Sequence, residues 1–172
     1  MHLQTGEEKI KSVTGTVPGS FLFVDIAKQE LHVVKDGKIA ETYPVSTASK
    51  GIGNREGSFQ TPRGVHRICE KYGRGAPVGR VFKDRIDTGE TWHVGAPGEN
   101  MVLTRILRLE GLEAGVNKGP GIDSYERYIY IHGTNNEGAI GSPFSQGCVC
   151  MRNHDVIRLF ETVEEGAIVF ID

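Results

Sequence analysis

Short runs rich in β-branched and aromatic residues recur along this chain: SFLFVDI, ELHVVK, KIAETYPVS, GVHRICE, MVLTRILRL, YIYIHG and AIVFID, with Gly, Asn and Asp concentrated between them. Side chains of this kind suit a pleated, half-buried surface, and the runs are too short to be amphipathic helices. The chain is therefore constrained to be mainly β. Between ELHVVK and KIAETYPVS stands Asp36-Gly37, a pair that tolerates the positive φ of a tight primed turn, so the first three runs are expected to form a meander.

One segment breaks the pattern. In NHDVIRLFETVEEG the apolar residues Val156, Leu159, Phe160 and Val163 recur at helical spacing. Asn153 or Asp155 is placed to cap the start, and Gly166 to stop the end. SKGIGNREGSFQTPRG lacks the third glycine and the helix of a dinucleotide fingerprint, and KYGRGAPVGR lacks the Lys-Ser or Lys-Thr of a phosphate loop. Both are read as flexible connections flanking a cleft.

A chain of 172 residues can bury one core without covalent staples. The division expected is a polar N-terminal extension over residues 1–19 and one domain over 20–172. Twenty basic against 22 acidic side chains, scattered, give no phosphate-tracking surface, so nucleic acid is not an expected partner. Glu7, Glu8 and Lys9 fall where a secretory signal needs apolar residues, and no run is long enough to span a membrane. Three cysteines, an odd number, suit a reducing compartment. The expected location is cytoplasmic, or periplasmic if an export signal has been removed. Cys69, on a strand, reads as a small buried hydrophobe.

SQGCVCMRNHD, downstream of YIYIHGT, carries the chemistry. His132, Cys148, Cys150 and His154 have the ligand types for zinc, but one residue between the cysteines is fewer than structural zinc pairs use. A Cys148–Cys150 disulfide would close a tight, strained ring. A third reading is nucleophilic catalysis: a thiolate attacks a carbonyl, a histidine moves the proton, and backbone amides hold the oxyanion. Gly147 permits an unusual dihedral before Cys148, and the adjacent N–H groups can converge. The helix predicted just downstream would add a partial positive charge that favours thiolate.

The stretch RYIYIHGTNNEGAIGSPFSQGCVCMRNHDVIRLF resembles the L,D-transpeptidase catalytic domain of YkuD type, whose signature is His-Gly-Thr or His-Gly-Ser, a gap, then Ser-x-Gly-Cys. The resemblance extends to FLFVDIAKQELHVVKDGKIAETYPVSTA, TPRGVHRI and RILRLEGLEAGVN, and so covers about residues 20 to 172. It implies a β-sandwich or barrel-like arrangement of mixed sheets, with a helix after the catalytic cysteine. It also implies a cysteine enzyme, without cofactor or metal, that cleaves the amide between stem residue three of a peptidoglycan peptide and a D-amino acid at position four. On that template Cys148 is the nucleophile, His132 the general base, Thr134 the orienter of the histidine, and Gly147 with Cys148 the oxyanion donors. Substrate contacts are expected from Gln146, Gly133, Tyr130 and Arg152.

Two positions depart from the family's commonest form. Gln146 stands where histidine is usual, and Cys150 where arginine is very common. A cysteine cannot make an arginine's bidentate contact with a carboxylate. Arg152 either takes over that contact or is a solvated residue at the start of the helix. The thioester can be resolved by water, giving L,D-carboxypeptidation, or by a second stem's amine, giving transpeptidation. A cytoplasmic location favours water and the trimming of free tetrapeptides during wall recycling. A non-catalytic or zinc-binding module that recognises wall peptides is the alternative of another class.

Overall fold

The computed structural model describes residues 3–96 and 98–172. Ten strands form in these residues: β1 Ser20–Asp25, β2 Glu30–Lys35, β3 Lys38–Ser46, β4 Gly64–Tyr72, β5 Arg80–Lys83, β6 Ile86–Thr91, β7 Val102–Gly111, β8 Tyr130–Gly133, β9 Val149–Met151 and β10 Ile168–Ile171. Two helices accompany them, α1 Leu3–Thr14 and α2 Asn153–Thr162. The strand order is β4-β10-β1-β2-β3-β9-β8-β7-β5-β6, and a further pairing of β4 with β7 closes the first eight into a ring. β1 with β10 and β8 with β9 are parallel, and the other pairs are antiparallel. The fold is thus the expected mainly β, barrel-like mixed sheet with a helix following the cysteine segment.

The predicted meander forms. Lys35 pairs with Lys38, and Asp36 and Gly37 take φ of 48° and 71° between them, the left-handed pair of a primed turn. A second turn of this kind has no glycine: Asp84 and Arg85, at φ 48° and 65°, join β5 to β6, whose Lys83 and Ile86 pair. KYGRGAPVGR is accordingly not all connection, since β4 runs to Tyr72 and β5 starts at Arg80.

Alternate residues of the ring point inward. Leu22, Val24, Leu31, Val33, Ile68, Leu107, Ile131 and Met151 form one cluster that also takes in Val156, Leu159 and Phe160 of α2. Each such large side chain contributes roughly 1.5–3 kcal/mol by leaving water. The end of α2 differs from expectation. Val163 is extended, at φ −113° and ψ 148°, so the helix stops one residue before it, yet Val163 stays buried. Gly166 is not the stop. The Lys71 ammonium donates to the Phe160 and Val163 carbonyls at 2.7 and 2.6 Å and sits 4.0 Å over the Phe160 ring, tying the end of α2 to β4.

The polar segment before β1 folds as α1, and its Ile10 is fully buried against Phe21, Phe23, Val34, Val65 and Phe170 outside the ring. Gly6 allows the approach, because a Cβ there would lie 3.1 Å from the Phe170 ring. Lys9 pairs with Glu113 at 2.7 Å. Met1 and His2 of the expected extension lie outside the described residues.

Candidate active site

β8 and β9 run side by side, with Ile131 opposite Val149, His132 opposite Cys150 and Gly133 opposite Met151. Cys148 is the residue just before β9. It opens, with His132, on a cleft of about 500 Å³ whose other walls include Glu99, Asn100, Phe144 and Gln146. Ring pairing therefore brings together two residues that are distant in sequence.

His132 is almost fully buried. Its Nδ1 lies 2.6 Å from the Gly133 carbonyl, which can only accept, so Nδ1 carries the proton and Nε2 is left as the basic nitrogen. Nε2 sits 3.7 Å from the Cys150 sulfur. Burial, opposed by the Gly133 carbonyl, pushes the imidazole down to about 4.

Cys148 is half-buried. The Tyr130 N–H donates to its sulfur at 3.3 Å, and its thiol donates to the Tyr128 carbonyl at 3.5 Å. Burial pushes the thiol up to about 11 despite that N–H and the Arg127 guanidinium, both of which favour thiolate. A thiol at about 11 beside an imidazole at about 4 makes a neutral pair at rest. Cys150 is fully buried, and burial followed by the neighbouring Cys148 raises its thiol further.

The loop before β9 is tied at several points. Ser145 Oγ donates to the Cys148 carbonyl at 2.6 Å and accepts the Gly147 N–H at 3.2 Å. Thr61 Oγ1 donates to the Gly147 carbonyl at 3.0 Å, so SKGIGNREGSFQTPRG ties down the cysteine loop. Gly147 has φ +133°, and a Cβ there would come 3.1 Å from Ile129 Cδ1 and 3.3 Å from the Gln60 carbonyl. No acceptor among the described residues takes the Cys148 N–H, which leaves it available to an oxyanion. The Gly147 N–H is already engaged.

Several expected roles move. Thr134 does not touch the histidine ring through its hydroxyl: Oγ1 donates to Asn100 Oδ1 at 2.8 Å and accepts the Asn136 N–H at 3.1 Å. The Gly133 carbonyl orients His132 instead. Gly133 is a packing requirement, since its Cβ would overlap Asn153 Oδ1 and reach 2.7 Å from the Leu103 carbonyl. Asn153 does not cap α2. The N-cap is Arg152, without a side-chain cap, and the buried Asn153 amide spans Thr134 O at 2.9 Å, Thr104 Oγ1 at 2.6 Å and Glu137. Arg152 is exposed and does not line the cleft. Tyr130 presents its backbone to Cys148 and its hydroxyl to Arg85, at 2.9 Å. Gln146 is exposed at the cleft mouth.

The three-residue strand β9 separates Cys148 from α2, so the helix's first turn is not next to the sulfur, as the sequence had suggested. Neither did the sequence mark Asn100 or Arg127. Arg127, half-buried, donates to the Gly53 and Gln60 carbonyls at 3.1 and 2.6 Å, and its Nη2 is 3.8 Å from where a Gly147 Cβ would be. Among the described residues no three His, Cys, Asp or Glu side chains are grouped to hold a metal, and His154 is exposed on α2.

A closed mixed barrel that presents a Gly-Cys loop and a buried, tautomer-fixed histidine to one cleft holds the groups that a thiol-dependent acyl-transfer enzyme needs. Residues 19–171 match the L,D-transpeptidase catalytic domain (YkuD), and the chain belongs to that family. It is 33% identical over 156 residues to a Bacillus subtilis protein named as an L,D-transpeptidase, YqjB, covering 90% of this chain and 73% of the relative. Against YbiS of Escherichia coli K12, also named as an L,D-transpeptidase, identity is 38% over 128 residues, 66% of this chain and 41% of the relative. Among solved structures it resembles an L,D-transpeptidase from Mycobacterium smegmatis, with a TM-score of 0.54 and 17% identity over 91% of this chain and 60% of that one. It also resembles the avibactam carbamoyl enzyme of Ldtfm, at 0.55 and 19% over 91% of this chain and 49% of that one. This chain thus spans about half to three-fifths of the solved chains.

Proposed function

We propose that Cys148 attacks the amide between stem residue three and the D-amino acid at position four of a peptidoglycan peptide. The observation that carries this reading is the shared cleft of Cys148 and His132, in which Cys148 is the cysteine open to a substrate. The thiol first leaves the Tyr128 carbonyl and turns to Nε2 of His132. As sulfur bonds to the carbonyl carbon, the thiol proton passes to Nε2, and the oxyanion forms against the free N–H of Cys148. Collapse breaks the C–N bond, His132 returns the proton to the departing D-amino acid, and a thioester remains.

Water is the proposed acceptor. It reaches the thioester through the mouth of the cleft, beside the exposed Glu99, Asn100 and Gln146, and needs no second recognition surface. His132 takes its proton, and the product is a tripeptide. The three cysteines are free thiols, which supports a reducing compartment and hence action on soluble muropeptides in the cytoplasm. The second reading, transfer to an amine, is favoured by the names of the relatives.

The test is incubation with purified disaccharide-tetrapeptide, followed by mass spectrometry. Release of free D-alanine alone is the expected outcome, a cross-linked dimer would assign the amine, and an unchanged substrate would sink both readings. Fractionation of cells carrying the full-length protein tests the compartment.

A further inference from the structure

A second concavity of about 460 Å³, walled by Arg74, Arg80 and Arg85 over a floor of Tyr72 and Phe82, meets the Tyr130 hydroxyl through Arg85. The carboxylate in its wall is Asp87, 3.3 Å from Arg80, so three arginines line the pocket against one acid. Glu70, nearby, does not redress the balance, because Tyr72, Tyr125 and Arg108 already occupy it at 2.7, 2.8 and 3.2 Å. Arg74 lies 5.3 Å over the Phe160 ring with no carboxylate partner among the described residues. The Nε of Arg80 is buried with no acceptor.

The hairpin that presents Arg85 is built at a cost. Arg85 holds φ +65° in a primed turn, where glycine or asparagine is favoured. From there its guanidinium donates to the Tyr130 hydroxyl at 2.9 Å and covers the Tyr128 ring at 5.2 Å. Tyr130 in turn donates its N–H to the Cys148 sulfur, so one tyrosine side chain separates the arginine pocket from the nucleophile. Phe82 and Tyr130 belong to one apolar cluster, against which Tyr72 and Cys148 both pack, so the floor of the pocket and the cysteine rest on the same packed layer.

We propose that Arg74, Arg80 and Arg85 form a carboxylate-binding subsite that anchors the peptide substrate next to Cys148. Guanidinium forks match a carboxylate in shape and charge, and a half-sheltered pocket with excess positive charge favours an anion. The carboxylate belongs either to the peptide being cleaved or to a second peptide acting as acceptor. This inference rests on the peptide-cleaving reading of the Cys148 site, but binding can be measured apart from cleavage.

The experiment measures binding of disaccharide-tetrapeptide to Cys148→Ala by calorimetry, alone and combined with Arg74→Gln or Arg85→Gln. Three further probes are the same peptide amidated at residue two, the peptide amidated at residue three, and the tripeptide acid as acceptor. Removing one arginine is expected to weaken the free-acid peptide by roughly tenfold. Amidation of the carboxylate that is held should cause the same loss, with no further loss in the arginine variants. If only the tripeptide responds, the subsite serves the acceptor. Arg74→Gln, on a surface loop, guards against a folding artefact at Arg85. Equal affinities for acid and amide together with no arginine dependence of the tripeptide, or no binding to Cys148→Ala, would overturn the subsite. Binding with arginine dependence but no turnover by the wild type would instead overturn the cleavage reading and leave the subsite standing.

Discussion

The neutral resting pair at the active site has a direct kinetic consequence. The Cys148 thiol stands at about 11 against an ordinary 9.0, so near neutral pH it carries about a hundredth of the thiolate of a free cysteine. Alkylation by iodoacetamide reports that fraction, because only the thiolate reacts at an appreciable rate. Modification of the Cys148 peptide, followed by mass spectrometry with free cysteine as reference, is expected to be about a hundredfold slow near pH 7.5. It should climb about tenfold per pH unit up to about pH 10 without a plateau. His132→Ala should change this profile little, since Nε2 faces Cys150 and not Cys148 at rest. Arg127→Met should slow alkylation further, because the guanidinium is one of the two groups that favour thiolate. A plateau below about pH 8 would mean a preformed thiolate–imidazolium pair and would refute the general-base sequence proposed here.

Other consequences concern stability and the loop. His66, buried between the Gly64 carbonyl at 3.0 Å and Ser124 Oγ at 2.8 Å, is held down to about 4, chiefly by burial. Its folded pKa is depressed, so the unfolded chain binds the proton first, and stability is full above about 6.5 and lost as pH falls toward 4. Urea unfolding should show about 2.5 kcal/mol less from this group at about pH 4.5 than at neutrality, with a flatter profile in His66→Gln. Lys71→Met removes both of the hydrogen bonds that tie the end of α2 to β4 and is expected to cost about 1–2 kcal/mol, read as a Tm lowered by a few degrees. Gly147→Ala forces a side chain into φ +133° against Ile129 and should lower kcat at least about tenfold while the fold survives; undiminished turnover would show that the loop's dihedral is not required.

What could be read from the sequence was what local rules carry. Asp36-Gly37 announces its turn because glycine accepts positive φ, and the helical spacing of Val156, Leu159 and Phe160 announces α2. Asp84-Arg85 makes the same turn without glycine and is silent. β9 is silent too: three residues cannot show alternation, and missing it made the helix start look adjacent to Cys148. Asn153 looked like a cap because capping is a local rule, whereas its bonds to Thr104 and Thr134 depend on ring closure. Asn100, Arg127 and the arginine pocket reach the site only through pairings across the chain, and no periodicity records those.

The proposed mechanism assigns the attack to Cys148, although it is the Cys150 sulfur that lies next to the basic nitrogen of His132. Cys150 lies within 3.7 Å of Nε2, but it is fully buried, with Asn100 Nδ2 at 3.8 Å, and an acyl group on its sulfur would have to displace packed core. Cys148, the residue just before β9, has its thiol on the Tyr128 carbonyl, yet of the two it alone combines an opening to the cleft, an unengaged backbone N–H and a glycine-enabled turn. A cysteine at position 150 is small enough to sit beneath the histidine ring without filling the cleft. On the proposed subsite, the cationic contact that position 150 lacks comes from the β5–β6 hairpin, whose Arg80 and Arg85 line the pocket next to the Tyr130 hydroxyl and leave the space around His132 open.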